Sequence, residues 1–238
     1  MTRGILIAGD ESPLFAAAAA EAAKRVESFA TVLIPSRGAS YERGSIPPPK
    51  AEASGAAIPL LWNPVSPISA RTAVLAAENR LGHINDAILV CSPPAVFKTV
   101  EALLPEEIEF FVNDHIKGWY FLIRELIQYF RHSGSGSLSL VVPGINYEGK
   151  NAQTDLLGPS SAASFRSFAQ SILTMSTNEP FLIMGFICPV TGVEEEFADW
   201  LFQTIDEGSR KNRGHWLKFS RFKFSRRLFS RIKVLGKN

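Results

Sequence analysis

The chain has 238 residues, of which 46% are hydrophobic and 20% charged, and this balance excludes a disordered or collagen-like chain. No apolar run reaches the roughly 18 residues that a membrane helix needs, and the two cysteines, Cys91 and Cys188, form neither a zinc motif nor a disulfide framework. The net charge of +2 conceals an asymmetry, because residues 208–238 carry eleven Lys and Arg and no acid, whereas residues 1–207 have a net charge of −9.

Short apolar runs alternate with helical patterns along the chain. Ser12 and Pro13 begin a helix directly after the first apolar run. Three prolines at residues 47–49 exclude a regular helix from the long segment after the second run. The predicted strands are residues 4–8, 30–35, 58–62, 87–91, 138–142, 181–188 and 213–219. The predicted helices are residues 13–26, 69–81, 105–132, 161–175 and 194–205.

Strands that alternate with helices at this interval favour right-handed βαβ units and an open parallel sheet. We therefore predict an α/β fold with a doubly wound parallel sheet of about seven strands in a single domain. This domain spans residues 1–207. Residues 208–238 form a basic C-terminal segment that contributes the seventh strand and an amphipathic tail.

Several short strings resemble the short-chain dehydrogenase/reductase family in their order and spacing. They are ILIAG at 5–9, VLIPSR at 32–37, DAILV at 86–90, IKG at 116–118 and RSFAQS at 166–171. The resemblance covers about residues 3–220. It implies a Rossmann-like fold, a nicotinamide dinucleotide at a glycine-rich turn, and catalysis by a tyrosine, a lysine, a serine and a helix asparagine.

The turn after the first strand departs from the family pattern. It keeps Gly9, but Pro13 and Phe15 stand where the later glycines belong. Asp10 and Glu11 place two negative charges where a diphosphate would bind. Like charges about 4 Å apart repel by about 1 kcal/mol in water and by more near a protein surface. We therefore expect poor binding of a nucleotide in the family's usual pose.

From this turn we predict that the chain has no cofactor, and we disfavour NAD(P). Two residues remain as weak cofactor-binding candidates, Gly9 and Arg37, the latter at the position where the family often binds the 2′-phosphate of NADP. The four histidines show no metal-ligand spacing, so we expect no metal site. Cys91 and Cys188 are interpreted as buried, inert thiols rather than nucleophiles, because no activating base is assigned to either by its spacing.

The family's catalytic positions are also replaced. The tyrosine position falls on Gly158 and the lysine position on Ala162, and neither side chain transfers a proton. The serine position falls on Val142 or Pro143, and the asparagine position falls on His115. His115 also lies on the apolar stripe of its helix, which favours a core or interface role.

One pair of residues offers an alternative catalytic site. Tyr147 and Lys150 are three positions apart in a glycine-containing loop, where the family has a spacing of four. Two readings stay open for them, solvated loop residues or the acid and base of an atypical NAD(P)-dependent oxidoreductase that acts on a carbonyl or alcohol.

The C-terminal segment is the least ordinary feature of the sequence. Within residues 216–235, apolar side chains recur at spacings of three and four with Arg and Lys between them, which is typical of a basic amphipathic helix. Such a segment can dock on an acidic protein surface or lie on an anionic membrane. The acidic body of residues 1–207 argues against nucleic acid as a partner.

Two helices are candidates for self-association. The resemblance implies a homodimer or tetramer through the long helix 106–132 and helix 161–175, and the first of these carries aromatic residues on nearly all sides. The losses at the turn and the catalytic positions favour a non-catalytic binding or assembly module. We expect it to be cytoplasmic, with a peripheral membrane protein anchored by the tail as an alternative.

Overall fold

The computed structural model describes residues 3–34, 56–144, 155–189 and 192–220, which form a sheet with helices on both faces. The strands are Ile5–Gly9 (β1), Ser28–Leu33 (β2), Ala56–Leu60 (β3), Asp86–Val90 (β4), Ser137–Pro143 (β5), Leu182–Cys188 (β6) and Trp216–Lys218 (β7). The helices are Pro13–Ala23 (α1), Pro67–Leu81 (α2), Pro105–Val112 (α3), Gly118–Ser133 (α4), Gly158–Met175 (α5) and Glu194–Glu207 (α6).

The sheet confirms the predicted doubly wound architecture. Its strand order is β3-β2-β1-β4-β5-β6-β7, and every neighbouring pair is parallel. β1 and β4 are buried along their whole length because helices cover both of their faces. The chain runs from β1 outward to β3 and then crosses back to β4 on the other side of β1, so the direction of winding changes between β1 and β4.

Two hydrophobic layers hold the helices on the sheet. One layer joins the sheet to α2, α4 and α5, with Trp119, Phe130 and Phe165 fully buried in it. The other joins the opposite face to α1 and α6, with Phe197 and Phe202 fully buried. Burial of such large aromatic side chains contributes much of the stabilisation that a domain of this size needs.

The helix starts follow the local chemistry of the sequence. At the predicted start of α1, the Ser12 hydroxyl accepts a hydrogen bond from the Phe15 amide at 3.2 Å. α2 begins at Pro67, two residues earlier than predicted, because the Ser66 hydroxyl accepts from the Ser69 amide and caps the helix.

The long helix predicted for residues 105–132 is interrupted. A five-residue π-helical turn, Asn113–Lys117, separates α3 from α4. The buried Ser161 hydroxyl donates to the carbonyl oxygen of His115 at 2.6 Å, and this contact holds the turn against α5. Immediately after the turn, a Cβ at Gly118 would come within 2.5 Å of Pro64, so the helix restarts where only glycine fits. Turns of this kind often occur at functional sites.

The aromatic faces of α4 are covered within one copy of the chain. Trp119 is fully buried, and Tyr120 packs on Phe168 of α5 with ring centroids 4.1 Å apart. The Tyr120 hydroxyl lies 2.8 Å from the Ser164 hydroxyl, and the Tyr129 hydroxyl accepts from the Ile84 amide. Self-association through these helices therefore stays a prediction.

The start of the basic C-terminal segment belongs to the fold. The predicted seventh strand is present as β7, which pairs with β6, and the Trp216 indole donates to Gln170 at 2.9 Å. The division of the chain at residue 207 stays a prediction, and the remainder of the tail, residues 221–238, lies outside the described residues. Within the described ranges, no helix is both long and apolar enough to cross a membrane.

Candidate functional site

A cavity of about 320 Å³ opens at the carboxyl ends of β1, β2 and β4. This is the edge of the sheet, beside the change in winding direction, at which open α/β folds bind their ligands. The residues that line it come from the ends of these strands, from α3 and the π-helical turn, and from the start of α5. They are Asp10, Glu11, Ile34, Pro94, Ala95, Val96, Glu107, Phe111, Asp114, His115 and Leu157.

The centre of the cavity wall is a buried pair, Asp10 and His115. One carboxylate oxygen of Asp10 lies 2.8 Å from Nδ1 of His115, and the other accepts from the Ser92 amide at 2.8 Å. A carboxylate only accepts, so the ring nitrogen that faces it carries a proton. Asp10 therefore fixes the orientation of the imidazole, whose other nitrogen makes no hydrogen bond within the described residues. The ring of Phe111 packs against it, with centroids 4.6 Å apart.

The cavity is acidic on one part of its wall and apolar on the rest. It presents four carboxylates, from Asp10, Glu11, Glu107 and Asp114, and none of the described residues lining it is Lys or Arg. Lys98 is not among the lining residues, and its ammonium group contacts both carboxylate oxygens of Glu107 at 2.8 and 2.9 Å. Most of the remaining wall consists of apolar side chains.

Gly9 and Phe15 pack on each other beside the cavity. A Cβ at Gly9 would lie 2.6 Å from the Phe15 ring and 2.9 Å from the carbonyl oxygen of Val90. Phe15 is buried in the layer beneath α1, and neither it nor Pro13 lines the cavity. The glycine is therefore required by packing, and its role as a cofactor-binding residue stays a prediction.

The two residues predicted to stand at the family's tyrosine and lysine positions, Gly158 and Ala162, are small residues of α5. Gly158 is the first residue of the helix, and its amide donates to Asp155, whose carboxylate also accepts from the Val96 amide. A Cβ at Gly158 would meet that carboxylate at 2.5 Å. Ala162, one turn further, is buried.

The remaining candidates fall in two groups. Pro143 ends β5, directly after the buried Val142. Arg37, Tyr147 and Lys150 lie outside the described residues, so their assignments stay predictions. Among the residues that are described, no group of three or more His, Cys, Asp or Glu could hold a metal ion.

Cys91 and Cys188 are expected to resist thiol reagents in the folded protein. Both are buried, and desolvation, with a smaller contribution from the charge of Asp10, raises the pKa of the Cys91 thiol well above its ordinary value. A disulfide reagent at about pH 8 should leave both thiols unmodified in the native protein and modify both after denaturation. Rapid reaction of one equivalent in the native protein would contradict this expectation.

Solved structures with this architecture cover nearly the whole chain. An NADH-dependent reductase solved in complex with NAD is 15% identical over 92% of this chain and 95% of its own, with a TM-score of 0.68. L-Sorbose reductase from Gluconobacter frateurii, in complex with NADPH and L-sorbose, is 12% identical, with the same coverage and a TM-score of 0.67. A 3-ketoacyl-(acyl-carrier-protein) reductase from Brucella melitensis, in complex with NADH, is 15% identical over 91% and 96%, with a TM-score of 0.61.

The chain has the fold of the short-chain dehydrogenases and reductases. The resemblance seen in the sequence is thus confirmed at the level of the fold. No protein-family model and no curated protein matches the sequence. The chain is therefore divergent from the short-chain dehydrogenase/reductase structures that share its architecture, as the identities of 12 to 15% also indicate.

The prediction that the chain has no cofactor is wrong, because the structures that share its short-chain dehydrogenase/reductase fold were solved with NAD, NADH and NADPH. One physical reason for the error is the direction of Phe15. Phe15 stands in the place of a turn glycine, but its ring is buried beneath α1 and packs against Gly9.

Sequence reasoning missed the pairing of Asp10 with His115, which are 105 positions apart. Asp10 was interpreted only as a repulsive charge, and His115 as a core or interface residue. The signal was nevertheless present, because Asp10 directly follows the first strand and His115 was predicted to stand at the family's asparagine position. Both residues line the cavity.

Proposed function

We propose that this protein is a non-catalytic binding module of the short-chain dehydrogenase/reductase fold, and that its cavity takes the nucleoside end of a nicotinamide dinucleotide. The observation that carries the proposal is the cavity at the carboxyl ends of β1, β2 and β4. It lies beside the change in winding direction, where ligands bind to this class of sheet. The dinucleotides in the reductases of the same fold support the choice of ligand.

The residues of the cavity fit a nucleoside. Ile34, Val96 and Leu157 offer an apolar wall for a base, and the carboxylate of Glu11 can accept hydrogen bonds from ribose hydroxyls. The four carboxylates of the cavity wall repel a diphosphate, because like charges a few ångströms apart repel each other. A bound nicotinamide dinucleotide supplies hydride chemistry to the proteins that use it. Here the chain's own residues bind and orient the ligand.

The non-catalytic part of the proposal rests on α5 and the end of β5. By the alignment of short strings, Gly158 and Ala162 stand at the family's tyrosine and lysine positions, and Val142 or Pro143 stands at its serine position. None of these side chains can donate or accept a proton. The described residues that line the cavity include no tyrosine and no lysine.

Direct titration of the purified chain with NADH and with NADPH tests the binding part. We expect saturable binding that is followed by the fluorescence of the reduced nicotinamide or by calorimetry. Absence of saturable binding of both dinucleotides at millimolar concentration would overturn it. Turnover of carbonyl substrates that is lost in Tyr147→Phe would leave the binding part standing and replace the non-catalytic part with an atypical oxidoreductase.

Replacement of Glu11 by glutamine is expected to tighten the binding of NADH by about fivefold. Glutamine keeps an oxygen that accepts from a ribose hydroxyl but removes a charge that repels the diphosphate, a difference of about 1 kcal/mol. Glu109→Gln is the matched control, since it removes the same charge from an exposed position of α3 that does not line the cavity. Equal effects of the two variants would show that only net charge matters.

A further inference from the structure

An exposed surface beside the cavity combines large apolar side chains with carboxylates. It consists of the exposed side chains of residues 97–112, named here the acidic apolar surface. Six large apolar residues on it are between 41% and 66% exposed. They are Phe97, Val100, Leu104, Ile108, Phe110 and Val112. The same range holds four glutamates and one cation, Lys98, which pairs with Glu107, so its net charge is −3.

Local structure brings these residues together. The Glu107 side chain contacts Lys98 and also accepts from the Leu104 amide, so the segment before α3 folds back onto the first turn of the helix. Ile108 and Val112 follow Leu104 at intervals of four residues and therefore share one side of α3. Glu101, Glu106 and Glu109 are exposed around them.

So many exposed apolar residues in one short stretch are typical of an interaction site. Carboxylates around the apolar residues favour a partner that is both basic and apolar. The chain itself contains such a segment. Residues 221–238 hold seven Lys and Arg, no acid, and seven large apolar residues.

The topology places the two features at the same edge of the sheet. All strands are parallel, so the residues that follow β4 and the residues that follow β7 both leave at the carboxyl ends. β7 is three strand positions from β4, a distance of about 14 Å. The 18 residues after Ser220 can span up to about 60 Å when extended, which is ample for this distance.

We propose that the basic segment 221–238 docks on the acidic apolar surface of its own copy of the chain. The segment supplies cations to Glu101, Glu106 and Glu109 and apolar side chains to the exposed residues of α3. This role is separate from the binding of a dinucleotide, since the three glutamates do not line the cavity.

Carbodiimide cross-linking of the full chain tests the contact. This reagent joins an amine to a carboxylate only when the two touch, and Lys223, Lys233 and Lys237 are the amines of the segment. We expect cross-links from these lysines to the glutamates of the acidic apolar surface. In a mixture of ¹⁴N- and ¹⁵N-labelled protein, each linked peptide pair should carry a single isotope. Pairs of mixed isotope would overturn the proposal in favour of docking on a second copy, and absence of links to residues 97–112 would overturn it altogether.

Hydrogen exchange of the full chain provides an independent readout. The charge reversal Arg226→Glu/Arg227→Glu/Arg231→Glu should accelerate amide exchange several-fold in α3 and leave α2 unchanged. α2 is the matched reference, because it also exposes apolar residues, Ile68 and Leu75, on its surface. Unchanged exchange in α3 would overturn the proposal.

A variant that restores the charge pairing tests whether charge directs the docking. Glu101→Lys/Glu106→Lys/Glu109→Lys, combined with the reversed segment, should return the exchange of α3 to the wild-type rate, and failure to do so would count against charge-directed docking.

Sedimentation with vesicles of phosphatidylserine and phosphatidylcholine tests the membrane as the competing partner. If the wild type binds such vesicles through the segment and shows no cross-links in solution, the membrane replaces the acidic apolar surface as its target.

Discussion

His115→Ala is expected to lower the free energy of unfolding by about 3 to 5 kcal/mol. The substitution leaves the carboxylate of Asp10, which is 3% exposed, with the Ser92 amide as its remaining donor among the described residues. A buried charge that loses its partner is among the costliest single changes in a protein. Urea unfolding followed by circular dichroism measures the loss, which corresponds to a fall in Tm of about 10 °C for a chain of this length.

His115→Asn is the matched variant for this prediction. An asparagine amide can donate to Asp10 from near the position of Nδ1, so this variant should retain part of the stability that alanine loses. In the background Asp10→Asn, His115→Ala should lower the free energy of unfolding by at least about 1 kcal/mol less than it does in the wild type, because the uncompensated charge is gone. Equal losses for the alanine and asparagine variants in both backgrounds would mean that His115 stabilises the fold through packing on Phe111 rather than through Asp10.

Gly9→Ala is expected to destabilise the protein by about 3 kcal/mol. The new methyl group would lie 2.6 Å from the Phe15 ring and 2.9 Å from a backbone carbonyl oxygen, and the strand that carries it is buried on both faces. The ring must move within a packed layer, and the carbonyl belongs to the neighbouring strand β4. Chemical denaturation measures the effect.

The Phe15→Ala background separates the two clashes. With the ring removed, Gly9→Ala should cost at least about 1 kcal/mol less than it does in the wild type. If the single variant Gly9→Ala unfolds at the wild-type denaturant concentration, the ring has free space beside it and the close packing argued for Gly9 and Phe15 is incorrect.

The order of the elements was readable from the sequence because each strand and helix carries its own signal. Apolar runs as long as strands predicted β1, β4 and β6, and Ser12 with Pro13 predicted the start of α1. Alternation of these elements is enough to predict a parallel doubly wound sheet, since parallel strands require a crossover between them. The interruption of the long helix was not readable, because it depends on Ser161 and Pro64, which contact the helix only in the folded chain.

The candidate site, too, could be predicted from the sequence only in part. Its residue types were visible in the sequence, and an alignment of short strings predicts that Gly158, Ala162 and His115 replace the family's tyrosine, lysine and asparagine. The direction of each side chain was not visible. Phe15 was identified only as a residue in the place of a turn glycine, and the structure buries its ring in the core.

The sequence by itself determined the class of the fold, the acidic body and the basic end of this protein, because propensity, periodicity and charge are properties of neighbouring residues. Only the tertiary structure decided that Asp10 contacts His115, that four carboxylates meet on one part of the cavity wall and that Gly9 packs on Phe15. These are contacts between residues far apart in sequence or between side chains whose direction depends on the packed core, and local sequence patterns do not encode them.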